Sequence, residues 1–149
     1  MEKQFILIRT DGKILILEEY PGDLLHALQA AVGGFIETVR SPKLGDPWLM
    51  IVNENGLLED HLEINRTASI ICGHMLIGDV AVVKQAGTED GEQDLFGLTP
   101  QEMETLLRKI ESIIQNKQSK EAALAILDQI INRKEANTNE RSRNQKDDS

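Results

Sequence analysis

The sequence predicts an α+β fold: a small antiparallel sheet with one packed helix, followed by two C-terminal amphipathic helices and a disordered tail. Three observations carry that expectation. Short apolar runs separated by turn residues fill residues 4–83, and a single stretch of helical periodicity at residues 24–32 interrupts them. Two further helical stripes follow Thr99. The gaps between the runs are mostly short, whereas a parallel crossover needs about a dozen residues or more, so antiparallel pairing is expected.

Residues 4–17 read as a hairpin. Phe5 and Leu7 on one side and Ile14 to Leu17 on the other flank Asp11-Gly12, a dipeptide suited to the positive φ angles of a type I′ loop. Pro21-Gly22 breaks the second strand and leaves Asp23 to cap a helix. Leu24, Leu25, Ala27, Leu28, Ala31 and Val32 then fall on one helical face, and Gly33-Gly34 ends it. Two strands are expected next, at residues 35–40 and 48–52, joined by a loop with two prolines. Asn55-Gly56 reads as a turn with positive φ, and residues 59–63 carry no clear preference. Ser69 to Cys72 and Gly78 to Val83 read as further strands, and residues 85–94, rich in Gly, Asp and Gln, as a solvated loop.

The C-terminal third changes character. Thr99-Pro100-Gln101-Glu102 has the form of a capping box with proline at the first helical position. Met103, Leu106, Leu107, Ile110, Ile113 and Ile114 make one apolar stripe, and Ala123, Ile126, Leu127, Ile130 and Ile131 make a second. The chain divides accordingly into an α+β domain over residues 1–98, a helical arm over 99–134 and a disordered tail over 135–149. The tail follows from composition, because Ala136 is its sole apolar residue. The stripes pack either on the chain's own sheet or against a second copy; the seam itself does not choose.

Composition excludes several classes of function. Net charge is −9, and residues 1–98 hold seven Lys/Arg against sixteen Asp/Glu, so the whole excess lies there. Such a body repels phosphate backbones, which argues against general nucleic-acid binding. No apolar run approaches the ~18 residues that span a bilayer, and Met1-Glu2-Lys3-Gln4 lacks the basic start of an export signal. A single cysteine, Cys72, permits no intrachain disulfide and reads as a buried thiol. A cytoplasmic protein is expected.

No catalytic constellation is visible. His26, His61 and His74 lack metal-ligand spacing, and no nucleophile elbow, phosphate-binding loop or dinucleotide fingerprint occurs. Paired carboxylates such as Glu18-Glu19 and Glu59-Asp60 read as solvated surface. The expectation is a binder and not an enzyme, with no cofactor and no metal. Arg40, Asn53, Asn65 and Arg66 are the candidate ligand-binding residues. All four lie at strand ends or turns, where binding groups sit on rigid scaffolds, and guanidinium groups recognise phosphates in bidentate fashion.

Four blocks in order carry a resemblance to a known family: Val32-Gly33-Gly34-Phe35-Ile36-Glu37, Val52-Asn53-Glu54-Asn55-Gly56, Asn65-Arg66-Thr67-Ala68 and Gly78-Asp79-Val80-Ala81-Val82-Val83. Over roughly residues 4–107 the chain resembles an uncharacterised domain-of-unknown-function family of Firmicute bacteria and their phages. The resemblance implies an α+β fold, a phage or mobile-element setting and no established activity. Some relatives lie beside antirestriction-type genes, and most stop near the first C-terminal helix, so the second helix and tail are departures suited to assembly. The function expected is a phage counter-defence protein that binds and sequesters a nucleotide immune signal as a homo-oligomer. The alternative is an acidic, DNA-mimicking inhibitor that occupies a host defence protein.

Overall fold

A computed structural model describes residues 3–19, 23–58, 61–116 and 124–133 of the chain. Strands β1 (Gln4–Ile8) and β2 (Ile14–Glu18) form the N-terminal hairpin, and helix α1 (Leu24–Val32) follows. Next come β3 (Ile36–Val39), β4 (Trp48–Asn53), a single 3-10 turn at Gly56–Leu58 and the short β5 (Ile64–Asn65). Helix α2 (Arg66–Cys72), β6 (Leu76–Ile77), β7 (Val80–Gly87), β8 (Gln93–Phe96) and α3 (Pro100–Gln115) complete the named elements, and residues 124–133 are again helical. The proposed tail, residues 135–149, lies outside the described residues.

The main sheet is antiparallel throughout, with strand order β2-β1-β7-β4-β3 and β8 also paired to β7. The fold is thus α+β with an antiparallel sheet. Its central strand β7 is apolar on both faces because both are covered. Phe5, Leu7, Leu49, Ile51, Ala81 and Val83 meet Ala27, Leu28 and Val32 of α1. On the other face Ile6, Ile8, Met50, Val52, Val80 and Val82 meet Ala68, Ile71 and Cys72 of α2 and Met103, Leu106 and Ile110 of α3. The first C-terminal stripe therefore packs on the chain's own sheet. Its first turn carries the capping box, with Thr99 and Glu102 bonding reciprocally, and Lys84 Nζ on β7 lies 2.6 Å from Glu102 Oε2.

Four local readings differ from the sequence expectation. The β1–β2 connection is a three-residue loop, not a type I′ turn. Only Gly12 has positive φ (+89°), and Arg9 N–H donates to Lys13 O at 2.8 Å across the loop. One glycine in the left-handed region after a type I turn closes such a hairpin, so Asp11 is spared the strain of positive φ. Residues 69–72, expected as a strand, belong to α2. Asn65 caps that helix and Gly73 (φ +87°) ends it, placing Ala68, Ile71 and Cys72 on one buried face. Two turns are too short for periodicity to outweigh a β-like Ile70-Ile71-Cys72 run. Asn55 and Gly56 take no positive φ; Gly56 opens the 3-10 turn. Finally, residues 85–94 are not all loop, since β7 runs to Gly87 and β8 returns from Gln93.

Candidate functional site

The four sequence candidates do not converge. Asn65 is fully buried, and every polar atom of its side chain has a partner. Its Nδ2 donates to Ile8 O at 2.7 Å and Gly78 O at 2.9 Å, and its Oδ1 accepts from Ala68 N–H at 2.9 Å. The residue pins the start of α2 to the end of β1 and to the approach to β7. Asn53 is also buried; its Nδ2 donates to Val32 O at 3.2 Å and its Oδ1 accepts from Asn55 N–H at 2.8 Å. It ties the end of β4 to the end of α1. Arg40 is exposed and paired to Asp46 at 2.6 Å, with a second bond to Gln85. Arg66 alone faces a large cleft.

That cleft has a volume of about 620 Å³ and is built from four separate segments. The β1–β2 loop contributes Thr10, Asp11 and Gly12, and the approach to β5 contributes Leu62, Glu63 and Ile64. The first turn of α2 adds Arg66 and Thr67, and the C-terminal helical segment adds Ile130 and Arg133. Its walls are held from behind. Thr10 N–H donates to Asp79 Oδ1 at 3.0 Å, which fastens the hairpin loop, and the Asn65 clamp fastens α2. An adjoining hollow of about 390 Å³ shares Thr10, Leu62 and Glu63 with the cleft.

Electrostatically the cleft is mixed. Asp11 is engaged by Arg9 at 3.0 Å and accepts from Lys13 N–H at 3.0 Å. Glu63, Arg66 and Arg133 are exposed, and among the described residues neither guanidinium is in an ion pair. Thr10 and Thr67 supply hydroxyls. The lining thus offers two guanidinium forks, which can donate to anionic groups, and one carboxylate, which can accept from N–H groups. Thr67, next to Arg66 in the first turn of α2, carries the same local signal, whereas Thr10, Glu63 and Arg133 carry none, because nothing local links residues so far apart in the chain.

Reactive groups are placed elsewhere. Cys72 is buried against the sheet, and burial pushes its thiol up, only partly offset by a backbone hydrogen bond from His74. His26 lies beside Asp23, the cap of α1, whose carboxyl is held below its ordinary value first by the His26 backbone N–H and then by the His26 ring. Among the described residues, no group of three or more His, Cys, Asp or Glu is placed to hold a metal ion. Nor, among them, is any helix long and apolar enough to cross a membrane.

Fold and cleft together define a small α+β domain with an open polar groove where the hairpin loop, α2 and the C-terminal helical segment meet. The chain belongs to the family described as "Domain of unknown function (DUF3846)", whose model matches residues 1–111. The matched span includes every strand and most of α3; residues 124–133, which close one side of the cleft, lie beyond it. No curated protein matches the chain. Among solved structures, the chain is similar to "Crystal structure of small RNA methyltransferase HEN1" at 15% identity and a TM-score of 0.48, over 76% of this chain and 17% of that one. So distant and partial a likeness carries no argument about activity.

Proposed function

We propose that this protein is a non-enzymatic binder of a small anionic ligand of nucleotide type, which it holds and withholds without transforming. One observation carries the reading: Arg66 and Arg133 line a single cleft of about 620 Å³, and neither is in an ion pair among the described residues. That volume lies within the range of roughly 300–1,000 Å³ typical of small-molecule sites. Guanidinium forks suit phosphate oxygens, while Glu63 offers an acceptor that a base N–H uses and inorganic phosphate does not. In the phage or mobile-element setting that the sequence resemblance implies, such a binder acts as a counter-defence sponge for a nucleotide immune signal.

Isothermal titration of the full chain with mono-, di- and cyclic oligonucleotides tests this. Binding is expected for at least one class, weakened about tenfold or more by Arg66→Ala and by Arg133→Ala, as befits loss of a charged hydrogen bond. No binding across the panel, or conversion of the bound nucleotide to product, overturns it.

A second reading follows from a different surface. The tip of the β7–β8 hairpin exposes Glu89, Asp90 and Glu92, with Asp94 following on β8, and among the described residues none has a Lys or Arg partner. An acidic inhibitor of a basic host protein would present such a tip. Its binding would weaken steeply with salt, since exposed charges are screened within about 10 Å at 0.1 M.

A further inference from the structure

Among the described residues, strand β2 is an outer edge of the sheet, paired only to β1. Along β1–β2 the bonds Arg9 N–H to Lys13 O and Glu19 N–H to Lys3 O mark the pairs whose backbone groups face inward. By alternation, Leu15 and Leu17 also face β1, and Ile14, Ile16 and Glu18 turn their N–H and C=O groups outward. Among the described residues, the edge is therefore an unused hydrogen-bonding template. It is also apolar where edges are usually blunted with charge: Ile16 is 47% exposed on the face that carries α3. Beside it lies an apolar groove of about 210 Å³ lined by Ile14, Leu107, Ile110 and Ile114.

The geometry points to a second copy of this chain as the occupant of that edge, paired antiparallel β2 to β2 about a two-fold axis at Ile16. Two constraints limit the register to axes through a single residue of β2, and the charge pattern then selects among these. A two-fold axis perpendicular to the sheet keeps each face on its own side, so opposed residue numbers must share parity. Their outward backbone groups must also coincide, which requires 14, 16 and 18 to face one another. Centring on Ile16 satisfies both and opposes Ile16 to Ile16, Ile14 to Glu18 and Leu15 to Leu17. The same register sets Lys13 opposite Glu19 twice, once on each side of the axis, so the strand is complementary in charge to its own copy. No other register of the same parity makes that pairing. The two apolar grooves then face each other across the new ladder, and the Ile16 and Ile114 side chains of both copies enter one seam.

Native mass spectrometry and sedimentation of the full chain at micromolar concentration test the interface, with circular dichroism confirming that each variant is folded. Wild type is expected to be dimeric or a multiple of a dimer. Ile16→Lys sets like charges face to face at the axis and is expected to abolish β2 pairing. Lys13→Glu and Glu19→Lys are each expected to weaken dimerisation about tenfold, because each turns two attractive pairs repulsive, and the double reversal to restore it. A monomeric wild type overturns the proposal, as does a dimer indifferent to Ile16→Lys. Loss with Ile16→Lys but no rescue by the double reversal overturns the register.

Discussion

Asn65 and Arg66 are adjacent in the chain and both polar, yet the fold uses them in opposite ways. Asn65 has no exposed surface and makes three hydrogen bonds that join β1, α2 and the approach to β7. Arg66, one residue on, is exposed to a cleft and has no ion pair among the described residues. The difference shows that position at a strand end does not by itself mark a binding residue. What separates the two is whether the polar atoms are already satisfied: a side chain with every donor and acceptor engaged inside the protein is part of the scaffold. Asn53 falls with Asn65 by the same criterion, and Arg40, held by Asp46 and Gln85, falls between them.

That contrast is open to attack by substitution. Asn65→Ala removes three buried hydrogen bonds, those to Ile8 O and Gly78 O and that from the Ala68 N–H, and is expected to destabilise the fold by roughly 3–4 kcal/mol in urea denaturation. A loss under about 1 kcal/mol would return Asn65 to the list of binding residues. Asn53→Ala removes two such bonds from a more peripheral junction and is expected to cost about 2 kcal/mol by the same assay.

A smaller effect sharpens the scaffold side through pH. Burial tends to raise the carboxyl of Glu102, but the Lys84 ammonium and the Thr99 cap outweigh it and hold the group below its ordinary value. A carboxyl depressed in the folded state stabilises the protein above the ordinary carboxylate range and loses that contribution as pH falls through the folded value. Lys84→Met is therefore expected to be less stable than wild type at neutral pH, and the two should converge as the pH falls through the lowered folded value of Glu102. Denaturation series at several pH values check this; a constant gap would show that the ion pair is not what lowers Glu102.

The sequence made the fold more legible than the site. Helices α1 and α3 announced themselves by periodic leucines and isoleucines and by caps at Asp23 and Thr99, because each is long enough for a stripe to show. Helix α2 did not, although Asn65 and Gly73 bracket it at the correct spacing for an N-cap and a left-handed stop. Those two residues are the local signal of the helix, and the apolar run between them masks it. Strand β8 stayed hidden because Gln93 and Asp94 are polar and exposed, so no alternation of hydrophobicity marks an edge strand there. The cleft was out of reach for a different reason. Thr10, Glu63, Arg66, Thr67 and Arg133 come together only through tertiary packing, and of these only Arg66 and Thr67 carried a local signal.

The central claim is that residues 65 and 66 separate stability from binding. Its most direct test is a paired measurement on Asn65→Ala and Arg66→Ala: urea denaturation alongside titration with the nucleotide class that wild type binds. Arg66→Ala is expected to stay within about 0.5 kcal/mol of wild type in stability, as exposed substitutions do, while its affinity falls about tenfold or more. Asn65→Ala is expected to lose stability and, in the fraction that remains folded, to keep its affinity. An Arg66→Ala protein that binds as wild type does, or one that unfolds as readily as Asn65→Ala, would contradict the account.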